Sequence, residues 1–350
     1  MTTQDTQTPE EREAAKQARR EEREAAIAAA PYAVVHVEAT GIHPSTSRMV
    51  SLTILTLTPE GEIVDEYFEI FNPGGDTGPR HLHGITDAEF EQARTVERSL
   101  RKINTLLDGR TLIMHNVPRT WGFVLGEAKS ALRTMQRRQR NRNRNRRGRR
   151  RVGRPPRPIA LIDTLASARR LGLPLEDSRV RAVAKELGID APSPIASVAR
   201  AQQPATATSQ ETAELIVDIY EAEVARGQIA SYDPSTLRAD RFGLQRSIVR
   251  VDAMEAAATT ENPGTFTPDH GLKAGMEFVV SPDIELDPDV IIAQGVAAGL
   301  KYNEKVTRQT SLLVCNRTSV LRGKAMHADR KQIPLIPDAE FLSLCEQSAS

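Results

Sequence analysis

The sequence predicts an α/β fold with a mixed sheet flanked by helices, followed by a second, smaller α/β unit. Three strand-like runs come first, at Val34–Val37, Met49–Thr58 and Ile63–Phe71, with the turn signal PEG between the last two. Helical and strand patterns then alternate, which predicts a mixed sheet rather than a purely parallel one. After Gly271 the alternation starts again, so a separate unit is predicted there.

Length and charge set further limits. The chain has 350 residues, of which 39% are hydrophobic and 4% aromatic, so we expect two domains with cores of Ala, Val, Ile and Leu. The formal net charge of +1 hides an asymmetry, because every charged residue from 137 to 157 is an arginine and the rest of the chain is acidic overall. The twelve arginines are Arg137, Arg138, Arg140, Arg142, Arg144, Arg146, Arg147, Arg149, Arg150, Arg151, Arg154 and Arg157.

Cysteine spacing and hydropathy indicate the compartment. The spacing of Cys315 and Cys345 fits neither a zinc site nor a disulfide framework, so both are interpreted as buried thiols in a reducing compartment. The N-terminal segment lacks the apolar region of a signal peptide, and no run approaches the ~20 apolar residues of a membrane span. A cytoplasmic protein is expected.

The pattern divides the chain into segments. We predict a charged helical segment over 1–30, an α/β domain over 31–225, a linker with some helix over 226–269 and a second α/β domain over 270–346. The arginine-rich part of the first domain, 136–158, cannot bury a core and is predicted to be a disordered insertion. Helices of the first domain are predicted at Thr86–Leu107 (with a Thr86/Glu89 capping box), Trp121–Met135, Ser178–Leu187 and Ser209–Ala225.

The stretch VVHVEATGIHP, 34–44, is the first candidate site. Alternate side chains of a strand share a face, so His36 and Glu38 are predicted to point the same way, opposite to Val35 and Val37. Two acids at this spacing could hold divalent cations for phosphodiester cleavage, but here one of the two positions is a histidine.

Five motifs in order resemble the DnaQ-like DEDDh 3′–5′ exonucleases, the family of the DNA polymerase III epsilon subunit. The resemblance spans about residues 32–225 and implies a ribonuclease H-like exonuclease fold. The motifs are VVHVEATGIHP (34–44), HLHGITDAEF (81–90), LIMHNVPRTWGFV (112–124), ALIDTLASARRL (160–171) and SQETAEL (209–215).

The resemblance also implies positions for the family's four acids and one histidine. The acids fall on His36, Glu38, Thr120 and Thr208, and the histidine falls on Gln203, so Glu38 alone is retained. One carboxylate cannot replace four in a two-metal site, and a glutamine side chain cannot act as a general base. We therefore expect no nuclease activity and no cofactor, although Mg²⁺ or Mn²⁺ would be required if the exonuclease were active.

Several other polar residues of these motifs receive structural interpretations. Asp163, at the end of a strand, is predicted to cap the next helix rather than to bind metal. His43, His83 and His115 are interpreted as ordinary polar loop or strand-end residues, whereas Thr40 and Gly41 are expected to contact nucleic acid.

The arginine-rich segment predicts a polyanion partner. Arginine pairs bidentately with phosphate, and counterion release makes such binding depend strongly on salt. No aromatic residue lies in this segment, so we expect DNA or RNA to be bound through its backbone, without sequence preference. The alternative is a solvated loop extended by its own charge.

Residues 271–346 resemble a BRCT domain, a module common in DNA repair and replication proteins. The matching segments are GLKAGMEFVVSPD, AAGLKYNEKVTRQTSLLVCN, GKAMHADRKQIPLI and DAEFLSL. The resemblance implies phosphate binding by Ser281 and Lys324, although Pro282 and Phe341 replace the family's usual glycine and tryptophan. A protein-docking module with an exposed lysine is the alternative.

Together these features predict a nucleic-acid-binding, exonuclease-like protein of DNA replication or repair without nuclease activity, located in the cytoplasm at the nucleoid. One alternative is an active metal-dependent 3′–5′ exonuclease whose acids lie at other positions. The other is a non-catalytic scaffold that binds RNA or an acidic protein.

Overall fold

A six-stranded mixed sheet forms the centre of the N-terminal unit. The computed structural model describes residues 8–142, 153–195, 197, 200, 202–227, 229–257 and 260–348. The strands are β1 Tyr32–Ala39, β2 Met49–Leu57, β3 Ile63–Ile70, β4 Thr111–Met114, β5 Ala160–Asp163 and β6 Ser231–Tyr232. Their order is β3-β2-β1-β4-β5-β6, with β1 antiparallel to β2 and parallel to β4.

Helices cover both faces of this sheet. The helices of the unit are α1 Pro9–Ala29, α2 Arg80–His83, α3 Asp87–Gln92, α4 Val96–Leu107, α5 Val117–Arg142, α6 Thr164–Arg170, α7 Val180–Glu186 and α8 Ala205–Arg226. Val35 and Val37 of β1 belong to the core shared with α4 and α5, whereas Val34 packs with α8 on the other face. The mixed sheet flanked by helices confirms the predicted α/β fold class.

One continuous helix was predicted from Thr86 to Leu107, but the chain forms two helices, α3 and α4. The prediction was wrong for residues 93–95, which separate them. The Thr86/Glu89 capping box is present, but the chain turns extended at Ala93. The side-chain amide of Asn72 donates to the Phe90 carbonyl, the backbone amide of Asn72 donates to the Arg94 carbonyl, and Phe71 forms a β-bridge with Arg94. These contacts occupy backbone groups that a continuous helix would need.

The predicted disordered range 136–158 was too wide at both ends. Helix α5 continues to Arg142, since arginine and glutamine are good helix formers. At the other end the Arg154 guanidinium forms two bonds of 2.6 and 3.1 Å with the buried carboxylate of Asp108, which also accepts the Arg157 amide at 2.6 Å. Residues 143–152 lie outside the described residues.

The predicted linker, 226–269, is more ordered than the sequence suggested. Strand β6 lies in it and pairs with β5 of the main sheet. A hairpin of β7 Leu237–Ala239 and β8 Gln245–Ser247 follows, and then helix α9 Ile248–Glu255. Ala253 of α9 belongs to the core of the C-terminal unit, so much of this segment belongs to one unit or the other.

The C-terminal unit is a small α/β layer structure, as predicted. Four parallel strands, in the order β10-β9-β11-β12, are covered by three helices. The elements are β9 Glu277–Val280, α10 Pro288–Ala297, β10 Lys301–Asn303, β11 Thr310–Val314, α11 Gly323–Asp329, β12 Leu335–Ile336 and α12 Asp338–Ser348. Phe278 stacks on Phe341 with 5.2 Å between ring centroids. The BRCT assignment of this unit stays a prediction.

Two further sequence expectations concern cysteines and membranes. Cys315 and Cys345 are buried and unpaired, as expected. Within the described parts of the chain, no helix combines the length and the apolar character required to cross a bilayer.

Helix α8 carries a buried carboxyl group, Glu223, which is fully excluded from solvent. Neither of its oxygens has a hydrogen-bond partner among the described residues. Burial, reinforced by the negative charge of Asp163, raises the pKa of Glu223 to about 9 from an ordinary value of 4.5. The group is therefore protonated in the folded protein at neutral pH, whereas it is ionised in the unfolded chain.

Folding should therefore take up a proton at Glu223 between pH 4.5 and about 9. Over this window the free energy of unfolding contributed by the group falls by up to about 1.4 kcal/mol per pH unit as pH rises. We predict that Glu223→Gln becomes increasingly more stable than wild type as pH rises, in urea denaturation at several pH values. Glu221→Gln, at an exposed position of the same helix, is the control. Parallel stability curves for Glu223→Gln and wild type would contradict this assignment.

Candidate functional site

The candidate site begins at the carboxyl end of β1. His36 and Glu38 share the sheet face that carries α8, as the alternation predicted, and His36 Nε2 lies 3.2 Å from Glu38 Oε1. The two side chains are 14% and 27% exposed. The carboxylate accepts a hydrogen bond from a neutral imidazole, or forms an ion pair with a protonated one. Glu38 is thus paired with a donor at the position where a two-metal site would need a second acid.

His83 lies within electrostatic range of Glu38, but both of its ring nitrogens already form hydrogen bonds. Its Nδ1 accepts the Ile85 amide and its Nε2 donates to the Thr77 carbonyl, both at 3.1 Å. Burial lowers the pKa of His83, which favours this neutral tautomer. The residue therefore holds the 77–85 segment together, consistent with its interpretation as a polar structural residue.

Both ring nitrogens of His115, which follows β4, also form hydrogen bonds. Its Nε2 donates to the Ser178 carbonyl and its Nδ1 meets the Thr164 hydroxyl, both at 2.8 Å. Burial lowers the pKa of His115, so the ring is neutral and has no free nitrogen to act as a base. It ties β4 to the start of α6 and to the turn before α7.

Asp163 is a helix cap, as predicted, and it caps two helices rather than one. Its Oδ1 accepts the amides of Leu165 and Ala166 in the first turn of α6, at 3.0 and 3.2 Å. The same carboxylate accepts the amides of Asn116 and Val117 at the start of α5, at 3.0 and 2.9 Å. The group is buried, and its negative charge interacts favourably with the partial positive charge at both helix N-termini.

The other positions that the resemblance implies carry no acid: they are Thr120, Gln203 and Thr208. Thr120 is buried in α5, and its hydroxyl donates to the His115 carbonyl at 3.1 Å. The Thr208 hydroxyl donates to the Ala205 carbonyl at 3.1 Å, and the Gln203 side chain is exposed. Across the described ranges, no group of three or more His, Cys, Asp or Glu side chains could hold a metal ion.

Thr40 and Gly41 lie in a loop that closes over the end of β1. The Thr40 hydroxyl accepts the Arg48 amide at 3.0 Å, and a Cβ on Gly41 would lie 2.5 Å from the Ser47 hydroxyl oxygen. The Arg48 side chain forms a bidentate pair of 2.7 and 2.9 Å with Glu127 of α5. The loop is therefore fixed to α5, and nucleic-acid contact by Thr40 and Gly41 stays a prediction.

Arg119 is a site residue that the sequence analysis missed. Its guanidinium lies 5.3 Å above the ring of Phe123, and it forms no ion pair with a described residue. Burial lowers the pKa of Arg119, while the charge of Glu38 opposes this shift. Its position in the first turn of a helix next to a candidate acid strand was the available signal. A cation therefore lies within electrostatic range of the Glu38 carboxylate.

The predicted phosphate ligands of the C-terminal unit are already paired internally. Lys324 Nζ donates to the Val280 carbonyl at 2.9 Å and to Glu304 at 3.2 Å. Burial lowers the pKa of Lys324 to about 8, although Glu304 opposes the shift. Glu304 also binds Arg250 of α9. The Ser281 hydroxyl donates to an aspartate, Asp283, at 3.1 Å, so a phosphate would have to displace carboxylates at both positions.

Only part of the predicted arginine surface falls on described residues. Arg137, Arg138 and Arg140 are exposed on the last turns of α5, which ends at Arg142. Arg138 lies 4.0 Å from Glu97. The other predicted nucleic-acid ligands, Arg144, Arg146, Arg147, Arg149, Arg150 and Arg151, lie outside the described residues.

The double cap at Asp163 leads to a stability prediction. Asp163→Ala should lower the free energy of unfolding by about 2–4 kcal/mol, because four backbone amides at the starts of two helices lose their acceptor. Asp163→Asn should lose less, since its amide oxygen keeps the acceptor for the three bonds now made by Oδ1. Urea denaturation measures both, with the exposed Asp190→Ala as control. A loss at Asp163→Ala no larger than at Asp190→Ala would contradict the capping role.

Comparison with known proteins returns structural matches only. No protein-family model and no curated protein matches the chain. A structure of exonuclease X in complex with 5′-overhanging duplex DNA matches with 18% identity and a TM-score of 0.34, covering 54% of this chain and 91% of that one. The zinc-bound E. coli exonuclease I complex with single-stranded DNA matches with 12% identity and a TM-score of 0.38, covering 56% of this chain and 40% of that one. A further exonuclease I structure matches with 12% identity and a TM-score of 0.39, covering 56% of this chain and 41% of that one.

Proposed function

We propose that this protein binds nucleic acid through a DnaQ-like exonuclease fold without cleaving it. The single observation that carries the proposal is the pairing of Glu38 with His36 at the carboxyl end of β1. In the exonuclease family that the motifs resemble, this strand supplies two metal-binding acids. Here it supplies one carboxylate and one imidazole, and the imidazole donates to the carboxylate.

The donor set around Glu38 does not fit two divalent cations. Mg²⁺ and Mn²⁺ prefer oxygen ligands, and two such ions need several negative groups in a shielded site. Arg119 lies within electrostatic range of Glu38, and as a cation it opposes the binding of a metal ion there. Thr120, Gln203 and Thr208 add no negative charge at the positions where the resemblance predicts the other catalytic groups.

The proposed ligand is DNA or RNA held through its phosphate backbone. The twelve arginines between 137 and 157, with no acid among them, support a polyanion partner. Arg119, a cation within electrostatic range of Glu38, supports contact with a nucleic-acid strand at the carboxyl end of β1 as well. The C-terminal unit, if it is a BRCT domain as its sequence suggests, would dock this protein to a partner in DNA replication or repair, which fits a cytoplasmic protein at the nucleoid.

The direct test is a combined cleavage and binding assay. End-labelled single-stranded DNA is incubated with the full chain and Mg²⁺ or Mn²⁺, alongside Glu38→Ala. We expect the DNA to remain full length and to shift in a native gel with both proteins, because one carboxylate does not support two-metal hydrolysis.

Metal-dependent shortening that disappears in Glu38→Ala would instead establish an active exonuclease that uses acids outside the motif positions. Absence of any shift, for DNA and for RNA of the same length, would leave the protein-scaffold alternative.

A further inference from the structure

One face of helix α5 carries a line of exposed cations. Lys129, Arg133, Arg137 and Arg140 are all exposed, and their spacing of four, four and three residues places them on the same face of a 3.6-residue helix. We call this set the basic stripe. Two of its members, Lys129 and Arg133, precede the arginine-rich run that the sequence alone singles out.

The basic stripe is not neutralised by the protein itself. None of its four side chains forms an ion pair or a hydrogen bond with a described residue. Arg138, in contrast, lies on the opposite side of α5 and faces Glu97 at 4.0 Å. Four like charges held on one helix face without counter-charges raise the local positive potential and concentrate anions there.

The stripe has the dimensions of a backbone-binding surface. A helix rises 1.5 Å per residue, so successive cations are about 5–6 Å apart along the axis and the four span about 17 Å. The helix fixes this spacing before any ligand arrives, which lowers the ordering cost of binding. Long arginine and lysine side chains can adjust within it to reach successive phosphates.

Composition distinguishes between an acidic protein and a nucleic acid as the partner. The other exposed residues on this face, Gly126, Ser130 and Gln136, offer no apolar or aromatic group. Protein interfaces draw most of their binding energy from such anchors, whereas non-specific nucleic-acid binding rests on phosphate contacts alone. The face therefore fits a phosphodiester backbone better than a protein.

Along the chain, the stripe lies between the two features that the proposed function uses, the site at the carboxyl end of β1 and the arginine-rich run. Arg119, beside Glu38, lies on the same side of α5. Between them, Gly122 is covered by Pro44 and by Gly243 of the β7–β8 hairpin, whose atoms lie within 3 Å of a Cβ built on that glycine. The exposed stripe begins beyond this crossing and ends where the arginine run continues.

We propose that the basic stripe of α5 is an ordered nucleic-acid backbone site that lies along the chain between the carboxyl-end site of β1 and the arginine-rich run. This inference rests on the proposed function, because it assumes that the protein binds nucleic acid. It adds Lys129 and Arg133 to the binding surface and excludes Arg138 from it.

The test compares two charge-matched double variants of the full chain. Lys129→Gln with Arg133→Gln removes half of the stripe, and Arg308→Gln with Arg330→Gln removes two exposed arginines from the C-terminal unit. Binding to labelled single-stranded and duplex oligonucleotides of about 20 nucleotides is measured by fluorescence anisotropy over a salt titration. Both variants are first checked for an unchanged melting temperature.

The stripe variant should lose about fivefold in affinity per cation for single strands at about 0.1 M salt. The slope of log K against log salt should fall by about 1.4 for the two contacts together. Duplex binding should weaken in the same direction, and the control variant should match wild type.

Equal affinity and slope in the stripe variant and wild type would overturn the stripe while leaving nucleic-acid binding intact. Equal losses in the stripe and control variants would also overturn it, because the effect would then be one of net charge. A wild-type protein that binds neither oligonucleotide but binds polyglutamate would reject the proposed function itself.

Discussion

The buried carboxylate of Asp163 is the contact on which the geometry of the candidate site depends. It accepts four backbone amides, two from the start of α5 and two from the start of α6. Burying a charge is costly unless hydrogen bonds replace its water, and here two helix N-termini supply them. The carboxyl ends of β4 and β5 are thereby held together at one edge of the sheet.

This junction determines the direction in which α5 leaves the sheet. Asn116 adopts a left-handed conformation, with φ of 66°, just before the helix, and its amide is held by Asp163. The helix then places Arg119 in its first turn, within electrostatic range of Glu38, and carries the basic stripe from about 15 to about 32 Å further along its axis. Glu127, within the same helix, fixes the loop above β1 through Arg48. One helix therefore links the candidate site, the loop above β1 and the basic stripe.

Local patterns predicted much of this arrangement. The period of two in β1 correctly placed His36 and Glu38 on one face, and strand-end chemistry predicted Asp163 as a cap of α6. The second cap, on α5, was not predictable, because the amides of residues 116 and 117 lie 47 and 46 positions earlier in the chain.

Tertiary contacts also account for the predictions that failed. Apolar periodicity runs through Ala93, but strand-like pairing of residues 71–72 with Arg94 divides the helix there. Similarly, composition marked 226–269 as a linker, whereas Arg250 within it enters a buried network with Tyr302 and Glu304. Composition measures how readily a segment could remain unfolded; it contains no information about a distant partner that would order it.

We propose that the carboxyl end of β1 does not form a two-metal site. Mn²⁺ titration followed by electron paramagnetic resonance tests it without relying on activity, by comparing wild type with Glu38→Gln. Pairing of Glu38 with His36, next to Arg119, predicts that the two proteins give the same binding curve. One or two Mn²⁺ ions bound per chain in wild type, and lost in Glu38→Gln, would contradict the claim.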